Sequence, residues 1–472
     1  MSFEVLLINP NQMKPAVAPI GLDYLAASLQ AEGFGVKVLD LCFADDVHTA
    51  LDAYFHDHNV DAVGLFIRNT DDCYYTGQDF FLPRYREWTS GPVILGGVGF
   101  SIMPQAVLRY CGADLGIVGD GEWALPALLS RLARGEGYDD VPGLAYRTDQ
   151  GIVVNPPAFR DLDELPFPRR GAIDNGRYLR EGGMGGIETK RGCPRHCIYC
   201  ADPVAKGRVS RARSPDNVAD EIEQLLELGV DWLHTCDSEF NIPAHHAQAV
   251  CEEMIRRGLG DRVHWHAYCA PRPFSRQLAR LMRRAGCVGI DFGVDSGDDG
   301  MLHRLGRYHT AEDLREVARI CRGEGITFMY DLLLGGPGET RDTVRRTIEL
   351  MREVNPSRVG VAVGVRIYPG TPLARMVRRQ GVDPSNPHLH GRVLGNDDLL
   401  EPIFYLSADM GPDPLSFIGD LVGDDERFFF GGAEEEGADY DYNENELLVE
   451  AIQQGYRGAF WDILRRLREE GW

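Results

Sequence analysis

Three cysteines within eight residues are the part of this sequence best suited to metal chemistry. Cys193, Cys197 and Cys200 follow the spacing Cys-x3-Cys-x2-Cys. Zinc sites prefer four ligands, usually as two separated pairs. A [4Fe–4S] cubane also takes four ligands, so three thiolates leave one iron open, and an open metal position can bind a substrate or a cofactor. The spacing therefore favours an open iron–sulfur cluster, with zinc as the alternative.

Length and composition are typical of a folded globular protein. The chain has 472 residues, enough for two or three domains, and 44% of them are hydrophobic. Eleven cysteines in so long a chain do not suggest a disulfide scaffold, which is short and secreted. We interpret the eight scattered cysteines as small buried hydrophobic residues: Cys42, Cys73, Cys111, Cys236, Cys251, Cys269, Cys287 and Cys321.

Charge and hydropathy limit which binding partners and which cellular location we expect for the protein. The net charge is −23, from 49 Lys and Arg against 72 Asp and Glu. This acidity argues against a nucleic-acid-binding protein, whose surface would be basic. The sequence contains no run of 18 apolar residues and no basic start followed by an apolar stretch, so we expect no membrane span, no signal peptide and a cytoplasmic location.

The elements that must position the cysteines repeat a strand–helix unit over residues 185–380. The first predicted strand, at 186–189, runs directly into the cysteine loop. Helical patterns separate all the strands, so we predict a parallel sheet curled into a partial (β/α)6 barrel, with every strand ending at one rim. The five later strands are predicted at 232–236, 263–269, 288–294, 326–333 and 359–367.

Residues 1–140 are predicted to form a doubly wound parallel sheet of Rossmann or flavodoxin type, because five short apolar runs alternate with helical patterns. Such sheets bind ligands at the carboxyl ends of their strands. Glycines lie there, at Gly96, Gly97 and Gly121. The dinucleotide-binding fingerprint would follow the first strand, but Asn9-Pro10-Asn11 stands in that place. An NAD site is therefore not expected.

The remaining stretches carry weaker signals. Residues 141–184 contain five prolines that interrupt any long element, and we interpret them as a connector. Residues 381–472 combine acidic runs with a final helical pattern. We interpret them as a small α-rich appendage.

The cysteine motif resembles that of the radical S-adenosylmethionine (SAM) superfamily, with Arg191-Gly192 before it and Tyr199 before its last cysteine. The resemblance implies a [4Fe–4S] cluster on Cys193, Cys197 and Cys200, whose open iron is chelated by the amino and carboxylate groups of SAM. In that family one electron cleaves SAM to a 5′-deoxyadenosyl radical. It also implies an electron donor such as flavodoxin or ferredoxin.

Four further motifs extend the resemblance over roughly half the chain. Asp237-Ser238-Glu239 stands where the family has Gly-Gly-Glu, with both glycines replaced, and Gly293–Gly297 resembles Gly-Val-Glu-Ser-Gly, with Asp295 in place of Glu. Gly335–Thr340 and Tyr368–Pro372 resemble the turns after the last two barrel strands. Arg272 is added because arginine forks favour carboxylates. The SAM-binding candidates are Tyr199, Asp237, Glu239, Arg272, Asp295, Ser296, Gly336 and Tyr368.

The N-terminal sequence is similar to the cobalamin-binding domain found ahead of many radical SAM barrels. The similarity lies in Pro19–Ala26, Gly96-Gly97 and Gly119–Glu122. The Asp-x-His-x-x-Gly signature, whose histidine ligates cobalt, is absent, and no histidine precedes His48. The candidates for binding cobalamin or another ligand are Gly21, Leu22, Arg68, Thr70, Gly96, Gly97, Gly121 and Glu122.

Three hypotheses follow. The first is a cobalamin-dependent radical SAM enzyme that transfers a methyl group to an unactivated carbon of a small metabolite. The second keeps the radical chemistry without cobalamin and performs a cyclisation, a rearrangement or the transfer of another SAM-derived group. The missing histidine and Arg68 favour that alternative. The third is a zinc-binding regulatory protein.

Overall fold

The structure is a computed structural model that describes residues 3–68, 84–429 and 445–471. Its N-terminal sheet has seven strands: β1 Glu4–Asn9, β2 Gly35–Asp40, β3 Ala62–Phe66, β4 Val93–Gly96, β5 Leu115–Ile117, β6 Leu144–Thr148 and β7 Gly151–Val154. Around it lie α1 Ile20–Ala31, α2 Val47–Asp57, α3 Tyr85–Trp88, α4 Val98–Ile102, α5 Pro104–Cys111 and α6 Gly121–Arg134.

The strand order β2-β1-β3-β4-β5-β6-β7 confirms the predicted doubly wound sheet. Strands β1 to β5 are parallel. In β1, Leu6 and Ile8 pack into the core on one face, whereas Val5 and Leu7 pack into the core on the other. Burial on both faces explains why the strands are continuous apolar runs.

The predicted connector does not consist of irregular chain alone. Strands β6 and β7, within residues 141–184, pair antiparallel with β5 and with each other. The prolines fall outside this hairpin, at Pro142 and Pro156, and leave the amide groups of both strands available for pairing. A 3₁₀ helix at Leu162–Glu164 and helix α7 at Asn175–Gly182 complete the connection.

The barrel sheet has parallel pairs throughout, in the order Phe428–Phe429 (β19), Arg358–Val363 (β15), Thr327–Leu334 (β14), Cys287–Asp295 (β13), His264–Cys269 (β12), Trp232–Thr235 (β11) and Gly185–Ile187 (β8). The six predicted barrel strands, β8 and β11 to β15, are confirmed. The intervening helices are α8 Asp202–Ala205, α9 Pro215–Glu227, α10 Ala244–Arg256, α11 Arg276–Arg284, α12 Asp299–Leu305, α13 Ala311–Glu324 and α14 Arg341–Val354.

A short antiparallel ribbon, β9 Lys190–Arg191 with β10 Arg211–Ala212, flanks the cysteine loop. The C-terminal part adds β16 Val365–Arg366, β17 Leu389–Gly391, β18 Ile403–Tyr405, β19 Phe428–Phe429, α15 Pro372–Gln380, α16 Pro414–Val422, α17 Glu446–Gln453 and α18 Phe460–Glu469. The predicted appendage, residues 381–472, holds α16 to α18 together with β17 and β18, which form a three-stranded sheet with β16, and β19, which extends the barrel sheet. Two further 3₁₀ turns lie at Leu41–Phe43 and Ala408–Met410.

Side chains along the barrel strands alternate between a face that packs against the outer helices and a face that carries polar groups toward the barrel interior. In β13, Ile290, Phe292 and Val294 belong to the core beneath the outer helices. Successive strand residues face opposite sides, so Asp291 and Asp295 face the barrel interior. Within the described ranges, no helix is long and apolar enough to cross a membrane.

Candidate cofactor sites at the domain junction

The cysteine loop runs from β9 to α8 and is held by backbone contacts. The amide of Cys193 donates to the carbonyl of Gly207 at 3.1 Å, and the amide of Cys200 donates to the carbonyl of Cys197 at 3.3 Å. Gly192 has φ +85°, and a Cβ there would lie 2.2 Å from the carbonyl oxygen of Val209. Only glycine fits this crossing, so the conformation of the loop depends on it.

The middle of the loop is fastened to the barrel rim from two sides. The amide of Ile198 donates to the carbonyl of Leu305 at 3.0 Å, at the end of α12. The amide of Leu373, at the start of α15, donates to the carbonyl of Ile198 at 2.9 Å. A Cβ on Gly306 would lie 2.5 Å from the carbonyl oxygen of His196. Helix α12 can therefore reach the loop because glycine ends it.

The three thiols suit an iron–sulfur cluster by their chemistry, because soft sulfur ligands select such clusters. Burial raises the pKa of the Cys193 thiol to about 11 and also raises the pKa values of Cys197 and Cys200. A bound cation has to favour the thiolates instead. Among the residues that the structure describes, no three His, Cys, Asp or Glu side chains converge on the position of one ion.

Arg307, which the sequence analysis missed, lies beside the loop. Its guanidinium Nη1 is 3.3 Å from Sγ of Cys197, and Nη2 donates to the carbonyl of Gly293. Its Nε lies 3.4 Å from a carboxylate oxygen of Asp295, and Nη2 lies 3.9 Å from one of Glu239. The Gly-Arg pair that directly follows α12 was the available sequence signal.

Tyr199, Glu239 and Asp295, three of the predicted SAM-binding residues, gather around this guanidinium. The hydroxyl of Tyr199 donates to Asp295 at 2.5 Å. Asp295, the last residue of β13, has φ +64°. Burial raises the pKa of Glu239 to about 7, against the opposing charge of Arg307. The structure thus brings these three residues and Cys197 into one group.

Asp237 and Arg272 are placed differently. Asp237 accepts hydrogen bonds from the amide and hydroxyl of Thr189 at 2.8 and 2.6 Å and from the amide and ammonium of Lys190 at 3.1 and 2.9 Å. Its carboxylate is therefore occupied in tying β11 to the first barrel strand. Arg272 is exposed, and its guanidinium lies 3.9 Å from Asp313. Neither side chain belongs to the group around Arg307.

The other three SAM candidates lie in turns that support the rim. Ser296 is buried, with its hydroxyl 3.1 Å from that of Thr347. A Cβ on Gly336 would lie 2.9 Å from Leu305, so glycine allows this turn to pack against α12. Tyr368 is half-buried, and its carbonyl accepts from the hydroxyl of Thr371 at 2.7 Å. These contacts favour packing roles.

A cleft lies between the strand ends of the N-terminal sheet and the flanks of the cysteine loop. It encloses about 920 Å³ of space, part of which opens to solvent. The barrel side contributes Glu188, Arg191, Ala205 and Lys206. Six predicted ligand-binding residues line the opposite side: Gly21, Leu22, Gly96, Gly97, Gly121 and Glu122.

The glycines give the cleft its shape. A Cβ on Gly96 would meet nothing within 4 Å and would point into open space, whereas Gly97, with φ +97°, approaches the carbonyl oxygen of Ile67 too closely for any side chain. A flat ligand can therefore lie against this backbone, which fits a corrin ring. Arg68 is half-buried two residues beyond β3. The predicted residue Thr70 lies outside the described residues.

An ion network joins the two sides of the cleft. Arg191 contacts Glu188 at 2.7 Å, Glu122 at 2.6 Å and Asp120 at 3.2 Å, and Arg211 also binds Asp120. Burial opposes ionisation of Glu122, but Arg191 outweighs it and holds the pKa of that carboxyl below its usual value. Burial prevails at Glu188 and raises its pKa. The predicted ligand residue Glu122 is thus also an ion-pair partner.

A second buried cluster fastens the connector to both domains. The guanidinium of Arg170 contacts Asp23 of α1 at 2.9 Å and Glu221 of α9 at 2.6 Å, with all three side chains fully buried. Tyr24 donates to Glu221 at 2.9 Å, and Asn175 accepts from Arg170 at 2.9 Å. Because each charged group has a partner, this polar cluster can be buried at the junction.

Comparisons with known proteins match both halves of the chain. Residues 187–351 match the radical SAM superfamily and residues 11–129 match the B12 binding domain. The tryptophan 2-C-methyltransferase of Streptomyces laurentii is 32% identical, over 97% of this chain and 95% of that protein. The cytidylyl-2-hydroxyethylphosphonate methyltransferase of Streptomyces wedmorensis is 23% identical over 81% of this chain and 83% of that protein.

A solved structure extends the match to the whole chain. The radical SAM methyltransferase TsrM from Kitasatospora setae, with tryptophan and the SAM analogue aza-SAM bound, superposes with a TM-score of 0.87 at 31% identity, covering 100% of both chains. The same protein with cobalamin and a [4Fe–4S] cluster bound gives a TM-score of 0.85. The expected fold, enzyme class and cofactors are confirmed, and the cobalamin-free and zinc hypotheses are set aside. The chain belongs to the cobalamin-dependent radical SAM methyltransferases.

Proposed function

We propose that this enzyme transfers a methyl group from SAM to a carbon of an aromatic amino acid, with tryptophan as the first candidate. The proposal draws on the full-length similarity to a tryptophan 2-C-methyltransferase. The observation that carries it is the position of the cleft, which adjoins the cysteine loop through Arg191 on one side and Ala205 and Lys206 on the other. Both cofactors would then serve one reaction centre.

We assign the cofactors to residues as follows. Cys193, Cys197 and Cys200 would hold the [4Fe–4S] cluster and leave its fourth iron for SAM. Tyr199 and Glu239 would face the SAM molecule, since they gather beside Cys197 around Arg307. Cobalamin, when bound, supplies a metal centre that carries a methyl group. Gly96 and Gly97 would admit it, because their backbone leaves the wall of the cleft without side chains.

The barrel interior offers a place for the substrate. Tyr268 is 45% exposed although it lies in a central barrel strand, and Cys236, directly after β11, is exposed as well. Tyr268 is in register with Asp291 of β13, which faces the interior and is 3% exposed. A tyrosine ring and a carboxyl group at one level of the barrel suit an aromatic amino acid, through ring packing and a hydrogen bond between the carboxyl group and the polar end of the amino acid.

We also propose that an acidic one-electron donor of flavodoxin or ferredoxin type docks over the cysteine loop. Pro194 and His196 are exposed there. Arg195 lies 3.1 Å from the carbonyl of Arg272, and its guanidinium is 4.5 Å from the centre of the Tyr308 ring. On a chain of net charge −23, this local positive charge favours an acidic partner.

The test is an anaerobic assay of the reconstituted enzyme with SAM, cobalamin, a reductant and tryptophan. We expect a product about 14 mass units heavier than tryptophan, as one added methyl group requires, and no such product from alanine. Cys197→Ala should lose the cluster and all activity, whereas Cys111→Ala, a thiol buried in the N-terminal domain, should keep both. An enzyme that binds cluster and cobalamin but methylates neither tryptophan nor another indole would overturn the proposed substrate.

A further inference from the structure

Arg307 is a buried cation whose contacts all lie at the rim above the barrel. Its side chain is 9% exposed. It reaches Sγ of Cys197 at 3.3 Å across 110 residues of sequence, and it is held in place by the carbonyl of Gly293 and by Asp295. A guanidinium keeps its proton in proteins, and carboxylate oxygens of Asp295 and Glu239 lie 3.4 and 3.9 Å from this one. The positive charge beside the thiol is therefore permanent.

The position of this charge matters for electron transfer. A [4Fe–4S] cluster that accepts one electron from a one-electron donor gains one negative charge and forms no bond. Hydrogen bonds and net charge near the cluster sulfurs set its reduction potential. A guanidinium in a poorly solvated site favours the more negative, reduced state. A nearby carboxylate has the opposite effect.

We propose that Arg307 is a positioning residue that raises the reduction potential of the cluster through its contact with Cys197, and that Asp295 offsets part of this effect. The proposal rests on the proposed function, because it requires the cluster on Cys193, Cys197 and Cys200. Arg307 contacts both Cys197 and Asp295. The positive charge of Arg307 and the negative charge of Asp295 therefore shift the reduction potential of the cluster in opposite directions. This relation separates an electrostatic role from a purely structural one.

Three variants and one control test it. Arg307→Gln removes the charge, and Arg307→Lys keeps it. Asp295→Asn removes the opposing charge without straining the backbone, because asparagine tolerates the positive φ of +64° at this position. Arg304→Gln is the control, since Arg304 lies on α12 only three residues before Arg307, is exposed and donates to the carbonyl of Gly338 at 3.4 Å instead.

The measurement is an anaerobic redox titration without SAM, followed by electron paramagnetic resonance of the reduced cluster, with iron and sulfide counted in each variant. At the wild-type midpoint we expect the ratio of reduced to oxidised cluster to fall about tenfold in Arg307→Gln, equivalent to about 59 mV for one electron. Arg307→Lys should restore most of the ratio. Asp295→Asn should raise it, and Arg304→Gln should leave it unchanged.

Each result decides the matter. An intact cluster with the wild-type potential in Arg307→Gln overturns the inference. If that variant assembles no cluster, Asp295→Asn decides, because a potential at or below the wild-type value contradicts the opposing-charge relation. A wild-type protein that binds no iron would instead overturn the proposed cluster site itself, so the two failures are distinguishable.

Discussion

The cysteine loop and the cleft beside it are adjoining sites built in opposite ways. The loop and its surroundings are made of reactive and charged side chains, with Arg307 in contact with both Cys197 and Asp295. The cleft is lined by apolar strand ends and bare backbone, as at Gly96 and Gly97, together with the charged groups of the Arg191 network. A cluster is held by bonds to particular atoms, whereas a large flat cofactor needs space. One site is therefore defined by side chains that are present, and the other by side chains that are missing.

The two sites share one support, the ion network of Arg191. This residue lies two positions before Cys193 and also lines the cleft, where it contacts Glu122 of the N-terminal domain. Breaking this link would test whether the two sites depend on each other. Filling the cleft would test whether cobalamin binding can be lost while the cluster is kept.

The largest effect is expected from Arg191→Met. The change leaves Glu188, Asp120 and Glu122 buried with too little positive charge, and breaking a buried pair by removing one partner costs about 3–5 kcal/mol. Denaturant unfolding should show this loss of stability, and both cofactors should bind more weakly. Arg134→Gln, which breaks an exposed pair with Glu136, is the control and should change little. Equal stability of the two variants would show that the network does not support the junction.

A smaller and more selective effect is expected from Gly96→Val. A Cβ there meets nothing within 4 Å, so the chain can fold, and the side chain then occupies the cleft. Cobalamin affinity should fall at least tenfold, about 1.4 kcal/mol, with iron content unchanged. Equilibrium dialysis with cobalamin measures the affinity. Gly137→Val also adds a side chain in open space, but away from the cleft, and should bind normally. Undiminished binding by Gly96→Val would remove cobalamin from this cleft.

The same contrast explains what the sequence could predict. Three cysteines in one loop are local, so their spacing favours a cluster over zinc, and the neighbouring motif residues extend that to a resemblance to the radical SAM superfamily. The barrel strands were predictable too, because β13 and β14 are long apolar runs with outward residues in a continuous core. Arg307 was missed because its contact with Cys197 spans 110 residues and depends on how α12 packs against the loop. No periodicity in the sequence encodes that approach.

Motif position was a weaker guide to side-chain use. Asp237 stands where the superfamily motif predicts a SAM contact, but its carboxylate is occupied by Thr189 and Lys190. Lys190, next to the first barrel strand, forms an ion pair with Asp237, and such pairing depends on three-dimensional proximity. The five prolines of residues 141–184 predict a connector without long elements, yet β6 and β7 form there, because prolines that only flank a strand leave its amides free to pair.

The smallest effect is expected in the barrel interior, where buried carboxyl groups are enclosed by packed strands, in contrast to the cleft. Burial, and then the neighbouring carboxyl group of Asp331, raises the pKa of Asp291 well above its usual value. The folded protein therefore keeps a proton that the unfolded chain releases at about pH 3.9. Stability due to this proton is complete below that pH and is lost as the pH rises through the folded pKa.

Asp291→Asn should remove this dependence, so its stability relative to wild type should increase from pH 5 to pH 8, as measured by urea unfolding. Asp46→Asn is a control of opposite sign. Hydrogen bonds from Thr49 lower the pKa of Asp46, so its contribution is lost only as the pH falls below the usual carboxyl range. Between pH 5 and pH 8 that variant should parallel wild type. Parallel curves for Asp291→Asn as well would contradict the prediction, because they would mean that Asp291 is already ionised inside the barrel.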